Sequence, residues 1–406
     1  MTSAAIDMEL SIDKSDWKPC CLGDVVEESR LVARDPVKEG IEKVVGLEHI
    51  DSESIHLKRW ETLEQSTTFT KKFVKGQVLF GRRRAYLKKA ALATFDGICS
   101  GDITVLQAKE GLLPEMLPFL INNDKFFDFA IKNSAGSLSP RVKFKDLANF
   151  KFFLPPKKEQ ARIASLFGAA DGVKVSTEEL CNTLQTLKAR LCSHYFTEGA
   201  NSIKTKNFGS HKIPFHWSIE PIHKFASVEY GISESVANNK DSNLGWPILT
   251  GANITIDGKL DLTKKVFIEI PSNEKFFLSK GDLLFNWRSG SPEHVGKTAI
   301  FDLLGNYTYA SFVLRIRCGE RLSHKFAYYM LNHLRAIEYF TKDIAQQVNF
   351  KMNAAVFRQV EIPVPPLQEQ EQIVNRLDQI QHEFEKAAFH NTKFIQLQKI
   401  LINHIF

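Results

Sequence analysis

The sequence lacks most of the features that mark enzymes and membrane proteins. No run of 18 or more apolar residues occurs, so no segment has the length and character of a membrane-spanning helix. Residues 1–19 carry neither a basic start nor an apolar core, the two parts of a secretory signal. The six cysteines fall outside any CxxC pair, and no Cys/His cluster has the spacing of a metal site. We therefore expect idle or buried thiols in a reducing cytoplasm, and no metal. No GxGxxG opens a βαβ unit, and GxSxG, HExxH and HxE…PCxxC are all absent, which removes the readily recognised dehydrogenases, hydrolases and deaminases. The stretch from Gly290 to Thr298 resembles a phosphate loop, but five residues separate its glycines and a strand-like segment follows. Neither charge sign dominates: 53 basic against 47 acidic residues give +6, which permits a nucleic-acid partner without requiring one.

What the chain does have is a repeat. LPPKKEQ at 154–160 meets VPPLQEQ at 364–370, an offset of 210. The same offset runs on without a gap to the last residue, pairing Ile163 with Ile373, Leu187 with Leu397, Leu191 with Leu401 and Phe196 with Phe406. Upstream the echo is fainter: Trp17 answers Trp217, GLEHI at 46–50 answers TGANI at 250–254, and GQVLF at 76–80 answers GDLLF at 281–285. The offset drifts between 200 and 210, so the upstream regions have gained and lost loop residues.

Each kept segment reads as a long helix, because a proline pair closes a preceding strand and then occupies the helix start. In the first, Ile163, Leu166, Ala170, Val173, Thr177, Leu180, Leu184, Leu187, Leu191 and His194 alternate by three and four, the heptad seam of a coiled coil. In the second, Ile373, Leu377, Ile380, Phe384, Ala387, Phe394, Leu397, Leu401 and Ile405 form a looser stripe. At 1.5 Å per residue each helix is about 60 Å long. An antiparallel pairing within the chain would bury both stripes; the alternative is that each helix packs on its own domain.

The two variable regions read as mixed α/β. Strands are expected at 75–80, 90–95 and 103–107 with a helix at 115–131, and at 282–286, 297–301 and 312–317 with a helix at 323–340. The expected division is 1–153, 154–199, 200–363 and 364–406.

Residues 71–95 contain Lys71, Lys72, Lys75, Arg82, Arg83, Arg84, Lys88 and Lys89 with no acidic residue, and Tyr86 sits among them. The planar guanidinium matches phosphate oxygens and the guanine O6/N7 edge, so this stretch suits a duplex groove; a solvated basic turn is the plainer reading. The matching stretch of the second region offers Asn286, Trp287, Arg288 and, at its end, Lys297. A second polar loop recurs as Ser137, Ser139, Arg141 and Lys143 against Gln347, Asn349, Lys351 and Asn353, and Asn or Gln can pair with adenine N6/N7. A surface turn before the last strand is the equal alternative.

The PPxxEQ starts, each followed by a heptad helix, resemble the specificity subunit of type I restriction-modification systems. So does VLFGRRRAYLKK at 78–89 leading to FDGICS at 95–100, which looks like that family's target-recognition domain. The likeness spans essentially the whole chain, although the first copy has two lysines in LPPKKEQ and the second region lacks the arginine-rich turn. The resemblance implies an α+β fold: two tandem recognition domains joined by two long helices, paired as an intramolecular antiparallel coiled coil in a pseudo-twofold arrangement. It implies a non-catalytic reader of a bipartite double-stranded DNA site, whose helices set the unread spacer and dock two methyltransferase subunits. S-adenosylmethionine, ATP and magnesium would then belong to the methyltransferase and restriction subunits, with no cofactor on this chain. A related reader serving a fused nuclease–methylase of type IIB kind is the near alternative, and a degenerate nuclease or methylase the remote one.

Overall fold

A computed structural model describes residues 13–63, 68–200, 204–233, 245–268, 274–343 and 354–406. The chain divides into two compact units, 1–179 with 388–406, and 180–387. Both divisions fall inside the long helices, so each unit holds one recognition region and one half of each helix.

In the first unit, four antiparallel strands form a sheet in the order Val26–Glu28, Ile103–Ala108, Val78–Gly81 and Ala90–Leu92. The second unit repeats it as Ala226–Tyr230, Val313–Cys318, Leu283–Asn286 and Thr298–Ile300. A second sheet contains one parallel pair in each unit, Lys43–Val45 with Gly97–Cys99 and Trp246–Leu249 with Thr308–Tyr309. The register of the repeat is kept residue by residue: Lys18 pairs with Leu154 and Ser218 with Val364, Val78 with Leu106 and Leu283 with Ile316. The offset is thus 200 at the first strand, 205 at the central one and 210 from the strand Ile103–Ala108 onward. Trp17 and Trp217 are buried in both units, as apolar anchors of the first strand pair.

The kept motif has a mechanical explanation. Gln160 Nε2 donates to the carbonyls of Gly111 and Pro155, and its Oε1 accepts from Leu113 N–H at 2.8 Å. Gln370 repeats all three bonds with Arg321, Pro365 and Ser323. Both side chains are buried, and each ties the proline elbow to the loop that enters the unit's helical layer. A buried amide with all these partners is costly to replace, because truncation orphans backbone groups that water does not reach.

The expected helix at 115–131 is broken. It comprises a 3-10 turn Pro114–Met116, a helix Leu117–Ile121 and a helix Asp124–Lys132, because Asn123 caps the last, its Oδ1 accepting from Phe126 N–H at 2.7 Å. The helix expected at 323–340 ends earlier, as His324–Ala336, and Glu338 follows in a left-handed conformation with φ of 61°. The long helices run Lys157–Glu198 and Leu367–Ile405. The first stops at Gly199, whose φ is 75° and where a Cβ would lie 2.7 Å from Glu369 Oε1.

The helices pair antiparallel in each unit. In the first, Phe167 and Phe406 pack with ring centroids 6.4 Å apart, and Gln398 Nε2 donates to Asp171 Oδ1 at 3.2 Å. In the second, Lys188 Nζ donates to Gln381 Oε1 at 2.6 Å. The stripe of the second helix faces inward throughout; Ile373, Leu377 and Leu401 are buried and Ile380, Phe384, Phe394 and Leu397 partly so. On the first helix only half of the expected seam is right. Ile163 is buried and Leu184 and Leu191 partly so, but Leu166, Val173, Leu180 and Leu187 are exposed, at 51%, 43%, 49% and 40%. His194 is exposed as well, and the places of these five are taken by the residues one position on, Phe167, Lys174, Cys181, Lys188 and Tyr195, all buried or half-buried. The seam is rotated by one residue: Phe167 meets Phe406 and Lys188 finds Gln381 across it, contacts that a heptad pattern alone does not weigh. Among the described residues no helix is long and apolar enough to cross a membrane.

Candidate nucleic-acid interface

The basic stretch meets its acids only in three dimensions. Lys71 Nζ contacts Glu28 at 3.2 Å and donates to the carbonyl of Ile103; Lys72 pairs with Glu39 at 3.2 Å; Lys88 pairs with Asp124 at 2.6 Å and Glu53 at 3.7 Å. Three of these four partners, Glu28, Glu39 and Glu53, come from the stretch 28–53, which packs against the basic segment. The expectation of eight available cations is corrected accordingly: Lys71, Lys72 and Lys88 carry internal ion pairs. Lys75 stays exposed, its backbone N–H donating to Asp96.

Lys89 and Lys297 are corrected together. They occupy matched positions immediately before matched strands. Lys89 Nζ donates to the carbonyl of Leu47 at 2.7 Å, and Lys297 Nζ to that of Gly251 at 2.9 Å and to Ile254. Lys297 is buried, and burial lowers its pKa. Both are internal staples between a strand and a 3-10 turn, Leu47–His49 in one unit and Gly251–Asn253 in the other. The same contact shows an exchange of bulk. At Gly81 a Cβ would meet Leu47 Cδ2 at 3.0 Å, whereas at Gly251 it would meet Asn286 Oδ1 at 2.6 Å. Strand glycine with turn leucine becomes strand asparagine with turn glycine. Asn286 is therefore a core residue, not a base reader: it is buried and its Nδ2 donates to the His294 carbonyl at 2.8 Å.

The cations left at the surface of the first unit are brought together with the second polar loop. Arg83 and Arg141 form an antiparallel bridge, Arg84 N–H donates to the Pro140 carbonyl at 2.8 Å, and Val142 N–H to that of Arg82 at 3.0 Å. Asp102 holds both guanidinium groups, Arg141 Nε at 2.7 Å and Arg83 Nη1 at 3.3 Å. Sequence reading missed Asp102, since nothing in a one-residue signal places it beside arginines 19 and 39 positions away. The hydrogen bond from Arg141 is the main reason its carboxyl titrates below the usual range, against burial, which acts the other way. Arg84, Tyr86 and Lys143 are exposed and Arg82 half-exposed. Two arginines on one carboxylate, with Arg82 and Arg84 next to Arg83 in the chain, leave net positive charge on this ledge, which suits phosphate contacts.

The second unit offers a different surface. Trp287 Nε1 donates to the Ser311 carbonyl at 2.7 Å, and its ring packs edge-on to Tyr230 and Phe312 at 5.8 and 6.2 Å. Arg288 is exposed and lies over the Phe312 ring at 5.1 Å. Arg315 and Arg317, which the sequence did not single out, both meet carboxylates: buried Arg315 pairs with Glu229 at 2.8 Å, and exposed Arg317 pairs with buried Asp282 at 2.7 Å. Gln347, Asn349, Lys351 and Asn353 lie outside the described residues.

Glu48, His49 and Glu61 come within 4.8 Å of one another. His49 Nδ1 already accepts from Gly46 N–H at 2.9 Å, which leaves the ring proton on Nε2, facing Glu61. Thr250 and Asn253 close the matched turn the same way, so the histidine serves the turn. All six cysteines are free, and burial pushes the thiols of Cys99 and Cys318 up to about 12 and of Cys192 to about 11.

The family model described as the type I restriction modification DNA specificity domain matches residues 14–180 and again 236–391. The chain belongs to this family. The specificity-domain chain is 30% identical over 173 residues to a putative type I restriction enzyme MjaX specificity subunit of Methanocaldococcus jannaschii, covering 41% of this chain and 40% of the relative. It is 31% identical over 132 residues to the EcoDI specificity subunit of Escherichia coli, covering 31% and 29%. Those two alignments thus span less than half the relatives' length, while one to the MjaVIII specificity subunit of M. jannaschii, 22% identical, covers 77% of both chains. In fold, the specificity-domain chain is similar to a type I restriction-modification S subunit from M. genitalium, with TM-score 0.59 and 10% identity over 99% of this chain and 98% of the other.

Proposed function

We propose that this chain is the DNA-recognition subunit of a type I restriction-modification complex and is itself non-catalytic. Each unit reads one half of a bipartite site, and the helices fix the unread gap. The observation that carries the reading is one fold present twice with unlike surfaces, arginines on the Arg82–Arg84 ledge in one and Trp287, Arg288 and Phe312 in the other. Two copies of one scaffold with different surface chemistry suit an asymmetric site, with phosphate contacts positioning and a few base-edge contacts specifying. Linking the halves raises the effective concentration of the second once the first is bound.

The exposed row Leu166, Val173, Leu180 and Leu187, repeating every seven residues along one helix, supports docking of methyltransferase subunits. S-adenosylmethionine, ATP and magnesium belong, in this reading, to those partners and to restriction subunits, and the complex works in the cytoplasm of a bacterium or archaeon. Mapping methylated adenines in the host genome tests the core of it. Two different half-sites at a fixed gap are expected; a single palindromic motif would contradict it. Leu180→Glu with Leu187→Glu is expected to abolish co-purification of the methyltransferase, and full retention would remove the docking part.

A further inference from the structure

Two large apolar side chains stand almost wholly in solvent, Leu304 at 96% and Leu138 at 90%; the next among the described residues, Phe215, is at 62%. Their settings differ. Leu304 shares its turn with Asp302 and has no arginine nearby in sequence. Leu138 is the apex of a loop whose ends, Ala135 and Arg141, exchange two backbone hydrogen bonds of 2.9 Å. The loop is held to the basic turn by Arg84 N–H on the Pro140 carbonyl, and Arg83 Nη2 donates to Ser139 Oγ at 3.1 Å. Gly136, with φ of 114°, makes the turn, and Pro140 fixes the return.

We propose that Leu138 is a wedge which the first unit presses between two neighbouring base pairs of its half-site. This rests on the DNA-reading function above and adds a residue that specifies by deforming the duplex. The flanking guanidinium groups sit at the base of the loop, where phosphates on either side of a groove meet them, and the apex three residues further on meets the bases. An apolar side chain on a rigid, arginine-flanked tip has the chemistry of residues that unstack a base step, and the sequence cost of unstacking selects flexible pyrimidine–purine steps. Covering the leucine with stacked bases also removes apolar area from water, which nothing in the unit does.

The test uses the full chain and a pool of random-sequence duplexes, from which retained DNA is sequenced. The wild type is expected to enrich a bipartite motif, and Leu138→Ala to lose the preference at one step of one half and bind the enriched duplex about tenfold more weakly. Leu138→Met should keep both, and Leu304→Ala should change neither. With 2-aminopurine at that step, the wild type brightens the probe by unstacking it and Leu138→Ala does not. Enrichment by the wild type with Leu138→Ala indistinguishable overturns the wedge. So does a lost preference without brightening, which marks a surface contact such as a thymine methyl. No enriched motif with the wild type overturns the DNA-reading function itself.

Discussion

At the scale of single residues, a charge is defined by what it meets. Lys89 looks like part of a DNA-binding run, yet it repeats the internal bond of Lys297, and the two are better understood as one structural device used twice. Lys89→Met and Lys297→Met should each lower stability by about 1–3 kcal/mol, since a carbonyl loses its partner, with the larger loss for buried Lys297. Urea unfolding measures it, and equal stability would return these lysines to the DNA surface. Asp102 makes a prediction in pH. Its carboxyl titrates below the usual range because Arg141 and Arg83 hold it, so its contribution is present above the ordinary aspartate pKa and is lost as pH falls through the lowered value. The stability advantage of the wild type over Asp102→Asn should therefore be full at about pH 6 and fall away as the pH drops below the ordinary aspartate value of about 4. A difference that does not change with pH would show that the ion pair is not its source.

At the scale of elements, the PPxxEQ motif is a joint. Its prolines end a strand and start a helix, while its glutamine locks that elbow to the unit through three backbone bonds in both copies. Gln160→Ala and Gln370→Ala should each cost about 3 kcal/mol, and Gln→Glu should fare little better because a carboxylate cannot donate to two carbonyls. Thermal unfolding of the two single variants checks the equivalence of the copies; a loss at one joint only would show that the second copy is held by other contacts. The joint was legible as a motif in the sequence, but not its bonds, which reach 47 residues back in each unit. The heptad of the first helix was legible only by half. Periodicity found the positions of Ile163, Leu184 and Leu191, while the choice between Leu166 and Phe167, or Leu187 and Lys188, was made by what lies opposite.

At the scale of the whole molecule, each long helix is shared by both units, and its ends belong to their cores. Ile163 and Phe167 lie with Leu401, Ile405 and Phe406 in one core, and Phe196 with Ile373 and Leu377 in the other. In the proposed function this makes the helices a ruler. Matched seven-residue insertions after Val173 and at the antiparallel partner position of the second helix add about 10 Å to each. The unread gap in the recognised site should lengthen by about three base pairs while both half-sites stay the same. The methylated sites of a host carrying the insertion report this, and an unchanged gap would end the ruler idea.

The sequence by itself determined the repeat, the two helices, three strands in each unit and the family, because these rest on local signals: proline pairs, apolar periodicity and an ungapped register. It did not determine which of the matched polar residues face outward. Glu28, Glu39 and Glu53 pair with Lys71, Lys72 and Lys88 of a segment that is acid-free in sequence, and Asp102 gathers two arginines that sequence keeps apart. Charge and apolar exposure are properties of a surface, and the surface exists only once distant segments have packed. For that reason Leu138, unremarkable in the sequence, became notable only in the folded chain.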